Sequence, residues 1–333
     1  MPLAIDRFSR SQRNRFTSVR LDRLVERRDD AAWCASALLA DDAHYVPLWR
    51  SRSLLESTAD GTIAVYLRPD DMEETDSIQP PTLLGTDGKR TYFAVSVTDQ
   101  QRDEIINERS RVEFADLRRY SIDMDAKHAG ILAYAKALHY WQLRHRFCGV
   151  CGSPNLLRSA GHRMVCSNEE CARQSFPRID PAIIVLVTQG DACLLGRSPR
   201  WPPRRFSTLA GFVEPGESLE DAVAREVFEE SSVTLTDIRY VSSQPWPFPA
   251  SSMCGFYAEA ASRDMATSEE LEELRWFTPP ELTEAVLAGE VLLSPPVSIA
   301  FQLLAGWFRA QGGGELEAIN RQARENRRDA ARS

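Results

Sequence analysis

Three glutamates in one short stretch of the chain have the spacing of a cation-binding group. Residues 211–233 read GFVEPGESLEDAVAREVFEESSV, with Glu226, Glu229 and Glu230 in the second half. If the stretch is helical, at about 100° per residue, Glu226 and Glu230 project from the same side as its apolar residues. Carboxylates on that side repel one another and lose hydration, which is costly unless a cation lies between them. Because Mg²⁺ takes oxygen ligands and usually also holds phosphates, the chemistry indicated is metal-assisted attack on a phosphate.

The local sequence favours a helix at this position. Ser218, followed three residues later by Asp221, is typical of a capped helix start, so we predict a helix over 219–231. The alternative interpretation is an ordinary solvated acidic helix. It is disfavoured because the solvent face already has its own residues, which are Glu220, Asp221 and Ala224.

The charged residues of this stretch follow the pattern G-x5-E-x7-R-E-x2-E-E. The residues in the pattern are Gly211, Glu217, Arg225, Glu226, Glu229 and Glu230. The spacing resembles the Nudix box, whose loop, helix and loop carry a divalent metal in enzymes that hydrolyse nucleoside diphosphates linked to another group. One position departs from the box, because Ser232 stands where a glycine is expected, and this bears on the turn that closes the helix.

Four of the 7 cysteines form a second candidate metal site. They are two pairs with zinc-ribbon spacing, namely Cys148, Cys151, Cys166 and Cys171. Four thiolates satisfy the tetrahedral preference of Zn²⁺ and leave no open position for water, so we predict one structural zinc ion per chain. His145 and His162 lie nearby in the sequence. A lone histidine is more often a surface or supporting group, and we leave both out of the metal shell.

A proline-aromatic segment follows the acidic stretch. Residues 242–251 read SSQPWPFPAS, and the alternating prolines predict a stiff, extended segment that fixes Trp246 and Phe248 in place. Filling of the core is the alternative role for the two aromatic rings. The segment resembles the SQPWPFPxS signature of the NADH pyrophosphatase branch of the Nudix family. Box, zinc ribbon and signature occur in that branch's order over about residues 147–308.

The resemblance implies a reaction and partners. A member of this branch hydrolyses the pyrophosphate of NADH or NAD⁺ to nicotinamide mononucleotide and AMP, and bacterial members also remove NAD caps from RNA 5′ ends. Members are similar in being homodimers. Two alternatives stay open: a Nudix hydrolase for ADP-ribose or dinucleoside polyphosphates and, in another class, a non-catalytic module that binds nucleotides or RNA.

The resemblance also implies roles around a catalytic Mg²⁺ or Mn²⁺ ion. Glu226 and Glu230 are expected to be metal ligands, and Glu229 a ligand or the base that orients the attacking water. The backbone carbonyl of Ala210 is a further expected ligand, together with Glu270, for which Glu273 is the competitor. Three residues of the box are expected to be structural: Gly211, Glu217 and Arg225, with Arg225 pairing with a loop carboxylate such as Glu217.

Substrate contacts are expected from three parts of the chain. Phe212 and Phe176 are the candidates for stacking on a ring of the ligand, with core filling as an equal alternative for Phe176. Ala300 fits a small residue beside the adenine. The remaining candidates are the signature residues Gln244, Pro245, Trp246, Pro247, Phe248, Pro249, Ala250 and Ser251.

Composition limits the classes of protein and partner. The chain has 333 residues and a formal net charge of −8, so it lacks the broad positive surface that non-specific nucleic-acid binding needs, although a local cluster such as Arg118 and Arg119 could still meet phosphates. No apolar run is long enough for a membrane span, and the N-terminal residues lack the apolar segment of an export signal. We therefore expect a cytoplasmic protein without membrane contact.

The order of predicted elements gives an α/β chain of several domains. The second half, in which strands are flanked by helices, predicts an α/β/α sandwich of the Nudix type. In the first part we find no chemistry, only a small α/β or mostly β domain with a strand near 91–97. The predicted domains are 1–128 (N-terminal domain), 129–146 (connecting helix), 147–176 (zinc ribbon), 177–311 (Nudix domain) and 312–333 (a charged, flexible tail).

Overall fold

The computed structural model describes residues 10–17, 19–71 and 79–330. The chain divides into two units. The first unit contains 15–179 and 245–251, and the second contains 180–244 and 252–333 together with the residues up to Asn14. The predicted boundary between zinc ribbon and Nudix domain lies close to the division at 179.

A mixed sheet forms the centre of the first unit. Its strands are β1 (Ala43–Trp49), β2 (Arg52–Thr58), β3 (Gly61–Ala64), β4 (Thr82–Thr86), β5 (Thr91–Ser96) and β6 (Val112–Ala115). The strand order is β3-β2-β1-β5-β4, with β6 paired to β2, and β1 runs parallel to β5. The strand predicted near 91–97 is confirmed as β5, every residue of which is buried.

Helices cover this sheet. They are α1 (Ala31–Leu38), α2 (Asp99–Glu108), α3 (Leu117–Tyr120) and α4 (Ala126–Arg144). The carboxylate of Asp125 caps α4 by accepting from the backbone amides of Lys127 and His128. The predicted connecting helix is α4, but it begins before 129 and packs on the sheet through buried residues such as Ile131 and Trp141. After α4 the ribbon forms a small antiparallel sheet of β7 (Asn155–Arg158), β8 (Arg163–Cys166) and β9 (Gln174–Ser175).

The second unit is the predicted α/β/α sandwich. Its sheet contains β10 (Asp180–Gln189), β11 (Ala192–Arg197), β13 (Leu209–Phe212), β14 (Leu235–Trp246), β15 (Ser251–Ala260) and β16 (Glu273–Phe277). The order is β14-β15-β10-β11-β16, with β13 paired to β10. Residues 205–212 contain two short strands, of which β12 (Arg205–Phe206) pairs with β17 (Leu292–Leu293) and β13 belongs to the main sheet.

Two apolar cores lie on opposite faces of β10. Ile184 and Leu186 face one core, whereas Ile183 and Val185 face the other, as the alternation of a strand requires. The helices are α5 (Leu219–Ser231), α6 (Pro279–Leu287), α7 (Ile299–Ala310) and α8 (Leu316–Ala330). Helix α5 packs in the second core, and α6 and α7 pack in the first. The helix predicted over 219–231 is confirmed as α5.

The structure differs from the predicted flexible tail. Residues 316–330 form helix α8, whose Leu316 and Ala323 are fully buried in the core that also contains α6 and α7. Their spacing of seven residues places both on one helix face, which suffices to attach an otherwise polar helix. The high content of Arg and Glu hid this pattern in the sequence.

Over the described part of the chain, no helix combines the length and the apolar character that crossing a bilayer requires.

Candidate active site

A single guanidinium organises the loop and helix of the acidic stretch. Arg225 donates from Nε and Nη2 to the two carboxylate oxygens of Glu217, at 2.5 and 2.9 Å. It also donates to Glu226, Glu229 and the carbonyl of Phe212, each at 2.9 Å. The predicted pairing of Arg225 with Glu217 is therefore confirmed. The guanidinium holds the pKa of Glu217 down to about 2, so this carboxylate stays charged and the loop stays fixed to the helix.

The absence of a side chain at Gly211 lets the loop approach the helix. A β-carbon at this position would collide with the carboxylate of Glu226, which lies against the backbone of β13. Burial raises the pKa of Glu226, and repulsion from Glu229 and Glu270 acts in the same direction against the opposing effect of Arg225. Gly211 is thus needed for space rather than for an unusual backbone angle.

Glu230 is the most enclosed acid of the group. Its side chain is only 8% exposed, and its Oε2 atom has no hydrogen-bond partner. Burial raises its pKa to about 8, followed in effect by repulsion from Glu226 and Glu270, while a backbone hydrogen bond from Ala210 opposes the shift. A buried carboxylate oxygen without a donor, facing two further acids, is the environment that a divalent cation would satisfy. The oxygen ligands present therefore fit Mg²⁺ or Mn²⁺.

The other two acids differ in position. Glu229 is 57% exposed along its side chain and shares Nη1 of Arg225 with Glu226. Glu270 repels both Glu226 and Glu230, whereas Glu273 is not among the charges that shift the pKa of either residue. Glu273 instead lies on β16 opposite Arg197. This arrangement favours Glu270 over Glu273 as the additional ligand.

The residues predicted to contact the substrate differ in their exposure to solvent. Phe212 follows the box glycine and is 60% exposed, so its ring is available for stacking. Ala300 lies in α7 and is buried. Gln244 is fully buried, and its amide donates to the carbonyl of Val297 and accepts from the amide of Ile299, both at 2.8 Å. The structure thus gives Gln244 the task of positioning the start of α7, with no surface left for a ligand.

The remaining signature residues belong to the first unit. The segment is extended only as far as Trp246, because residues 247–250 form a turn between β14 and β15, which differs from the predicted extended conformation. Trp246 and Phe248 pack edge to face, with ring centroids 5.1 Å apart, and both contact the buried ring of Phe16 at 6.1 and 5.6 Å. Phe16 was missed at the sequence level, because nothing in its local sequence links it to a segment so far along the chain.

Pro245 and Pro249 of this segment are exposed, Pro247 is buried, and Ala250 and Ser251 are half-buried. Phe176, at the end of the ribbon, is 58% exposed. That exposure disfavours the role of core filler for Phe176 and leaves its ring free for stacking.

The four predicted cysteines converge in the ribbon. The sulfur atoms of Cys148, Cys151, Cys166 and Cys171 all lie within 4.8 Å of one another. In the described residues this is the one group of possible metal-binding side chains that gathers so closely. Four thiols at such distances fit a tetrahedral zinc ion. His162 contacts the carbonyl of Leu83 at 2.7 Å and His145 that of Trp141 at 2.8 Å, so both histidines are engaged outside the cluster.

Family models match three consecutive parts of the chain. Residues 42–141 match an NADH pyrophosphatase-like rudimentary NUDIX domain, residues 143–176 an NADH pyrophosphatase zinc ribbon domain, and residues 178–293 a NUDIX domain. The first match was not foreseen from the sequence. The pattern G-x5-E-x7-R-E-x2-E-E that identified the second unit does not occur in residues 42–141.

Curated relatives are similar to large parts of this chain. NAD-capped RNA hydrolase NUDT12 of Homo sapiens is 36% identical over 236 residues, which are 67% of this chain and 51% of that protein. NAD-capped RNA hydrolase NudC of Stutzerimonas stutzeri (strain A1501) is 48% identical over 162 residues, which are 48% of this chain and 58% of that protein. The chain thus spans about half the length of the curated relatives it matches. The crystal structure of a NUDIX hydrolase from Nitrosomonas europaea covers 51% of this chain and 94% of that chain at 21% identity, with a TM-score of 0.41.

Proposed function

This chain belongs to the NADH pyrophosphatase branch of the Nudix family, with its zinc ribbon, and on that premise we propose that it hydrolyses the pyrophosphate of NADH or NAD⁺. The products are nicotinamide mononucleotide and AMP. We further propose that it removes NAD caps from RNA 5′ ends, since the relatives are named for that activity. The homodimer implied by the resemblance is part of the proposal.

The observation that carries this proposal is the environment of Glu230. A buried carboxylate with an unpartnered oxygen, beside Glu226 and Glu270, destabilises the fold unless a cation binds there. An ordinary structural helix has no reason to keep such a group. A bound Mg²⁺ or Mn²⁺ ion would therefore be held by Glu226, Glu230, Glu270 and the carbonyl of Ala210.

Each residue then has a distinct task. A bound divalent ion lowers the pKa of a coordinated water and neutralises charge on the leaving phosphate. Glu229, which is exposed and accepts at one oxygen from Arg225, would orient the attacking water as a base or serve as a further metal ligand. Arg225 fixes the loop and the acids in one geometry, while Phe212 offers its exposed face to a ring of the substrate. Zinc bound to the four cysteines would stabilise the ribbon and would take no part in the hydrolysis.

Glutamine variants test the assignment. Glu229→Gln and Glu230→Gln are each expected to fold, to retain zinc and to lose NADH hydrolysis by at least about a hundredfold, since each removes a charge from the reacting centre. Glu220→Gln, on the exposed face of the same helix, is the matched control and should keep full activity. Wild-type turnover in either of the first two variants would remove the proposed active site.

Substrate comparison separates the two alternatives. Ratios of kcat/KM for NADH, NAD⁺ and ADP-ribose distinguish an NAD(H) enzyme from a Nudix hydrolase of other diphosphates. A non-catalytic module would bind these ligands without any product that depends on Mg²⁺. The intact acids around Glu230 favour an enzyme, because a binding module has no use for that electrostatic cost.

A further inference from the structure

We propose that a patch of arginines on the second unit binds the phosphates of a single-stranded RNA whose capped end lies in the active site. The arginine patch consists of Arg204, in the turn before β12, Arg205, the first residue of β12, and Arg324, Arg327 and Arg328 from α8. This inference rests on the proposed removal of NAD caps and adds to it a surface for the RNA body.

Packing around one glycine brings the two segments of the patch together. Gly289, in the turn after α6, accepts a hydrogen bond through its carbonyl from Nη1 of Arg204 at 3.0 Å. A β-carbon at Gly289 would lie 4.0 Å from the same Nη1 atom and 3.8 Å from Cδ of Arg327. Two arginines that are more than a hundred residues apart in sequence therefore flank the same small residue.

The charges of the patch are not neutralised. In the described ranges, none of its arginines forms an ion pair with an acid, and the buried Nε of Arg205 has no hydrogen-bond partner. At about 100° per residue, Arg324, Arg327 and Arg328 span about 100° of the surface of α8, while Glu325 and Asp329 lie further round the helix. Partial burial lowers the pKa of Arg324, and repulsion from Arg327, Arg328 and Arg205 acts in the same direction. A local positive surface thus exists on a chain with a net charge of −8.

One end of the patch, Arg205, lies close along the chain to Ala210 of the proposed site. Arg205 precedes Ala210 by five residues, and an extended chain of that length reaches at most about 17 Å. An RNA that enters the site by its capped end must continue outward with one phosphate per nucleotide. Closely spaced guanidinium groups suit that chain, because each can pair with phosphate oxygens in a bidentate manner.

An exposed aromatic ring favours RNA over other polyanions. Trp201 is 36% exposed and lies three residues before Arg204, in the segment that leads into β12. Proteins that bind single strands without sequence preference combine a basic surface with aromatic rings on which bases stack. An anionic membrane would use the charge but gain little from one half-exposed ring.

The test compares capped RNA with a substrate that has no RNA body. In the triple variant Arg324→Gln, Arg327→Gln, Arg328→Gln, kcat/KM for NADH should remain unchanged. For an NAD-capped RNA of about 15 nucleotides, kcat/KM should fall at least about tenfold, and its dependence on the logarithm of salt concentration should become shallower by about 2. Replacing the same three residues by lysine keeps the charge and should preserve most of the salt dependence. Trp201→Ala should weaken RNA binding without changing the slope.

A charge-matched control makes the result specific. The variant Arg111→Gln, Arg158→Gln, Arg239→Gln removes three exposed arginines that lie outside the patch and outside the Arg118–Arg119 cluster, and it should leave the activity on capped RNA unchanged. An equal loss in both triple variants, or no loss in the first, would overturn the inference. Fluorescence anisotropy of the same RNA with a 5′-monophosphate measures binding without turnover. Loss of RNA binding by the patch would therefore be detected even if NADH is hydrolysed, and RNA binding would be detected even if NADH is not hydrolysed. Binding to phosphatidylserine vesicles that exceeds RNA binding and is lost in the first variant would assign the patch to membranes instead.

Discussion

Arg225 and Glu217 form a bidentate pair that joins the loop of the box to its helix, with contacts of 2.5 and 2.9 Å. The same guanidinium reaches Glu226 and Glu229, so one side chain sets the position of both acids relative to the loop. The positions of the acids in the proposed site therefore depend on Arg225, which need not contact the substrate.

The first prediction concerns this pair. Arg225→Lys keeps the positive charge but loses the planar fork, so the loop and the acids should shift by a fraction of an ångström. We expect kcat/KM for NADH to fall by about tenfold to a hundredfold, mainly through kcat, because small misplacements of reacting groups are costly. The control is Arg239→Lys, because Arg239 forms an exposed ion pair with Asp237 in the same unit. This variant should keep the wild-type kcat/KM for NADH. Steady-state kinetics measures the effect, and the zinc content shows whether the variant is folded. An unchanged kcat would contradict the positioning role of Arg225.

The acidic helix was predictable because its signal is local. Capping by Ser218, apolar spacing and the position of the acids all lie within 219–231, and the structure has the helix over that range. The cysteine site was predictable for the same reason, because the short spacing within each cysteine pair is a local signal and the four sulfur atoms do lie together. By contrast, the contact of Phe16 with Trp246 and the fold of the N-terminal part depend on residues distant in sequence, which no local pattern reports.

The second prediction concerns metal removal. Without a divalent ion, the buried carboxylate of Glu230 destabilises the fold, so Glu230→Gln should be at least as thermally stable as the metal-free wild-type protein. Addition of Mg²⁺ at about a hundred times its dissociation constant should stabilise the wild-type protein by about 3 kcal/mol and the variant by much less. Thermal unfolding with EDTA and with Mg²⁺ measures both. A shift of equal size in Glu230→Gln and in the control Glu220→Gln would place the ion elsewhere.

The third prediction concerns the departure from the box at Ser232. This residue closes α5 in the left-handed conformation, with φ 59° and ψ 13°, which glycine adopts without strain. Ser232→Gly should therefore stabilise the second unit by about 0.5 to 1 kcal/mol without loss of activity. Ser252→Gly, inside β15, should have the opposite sign. Urea denaturation of the two variants gives the comparison, and a destabilised Ser232→Gly would show that the serine side chain supports the turn.

The fourth prediction is a pH dependence in the first unit. His139 is 5% exposed, its Nδ1 lies 3.0 Å from the hydroxyl of Ser96, and its Nε2 has no partner. Burial, with a smaller effect of Lys136, lowers its pKa to about 4, so the folded state keeps it neutral while the unfolded chain takes up a proton near its usual pKa of 6.5. Because the folded pKa lies below the unfolded one, stability is complete above about pH 7 and falls as the pH drops to about 4, by about 3 kcal/mol.

In His139→Gln the amide can still pair with Ser96, but no proton is taken up on unfolding, so the stability curve should be flatter over that pH interval. Chemical denaturation at several pH values measures the slope for both proteins. Acid also releases zinc from cysteine thiolates, but this loss is common to the two proteins and cancels in their difference. Parallel stability curves for wild type and variant would show that His139 does not contribute to the acid sensitivity of the first unit.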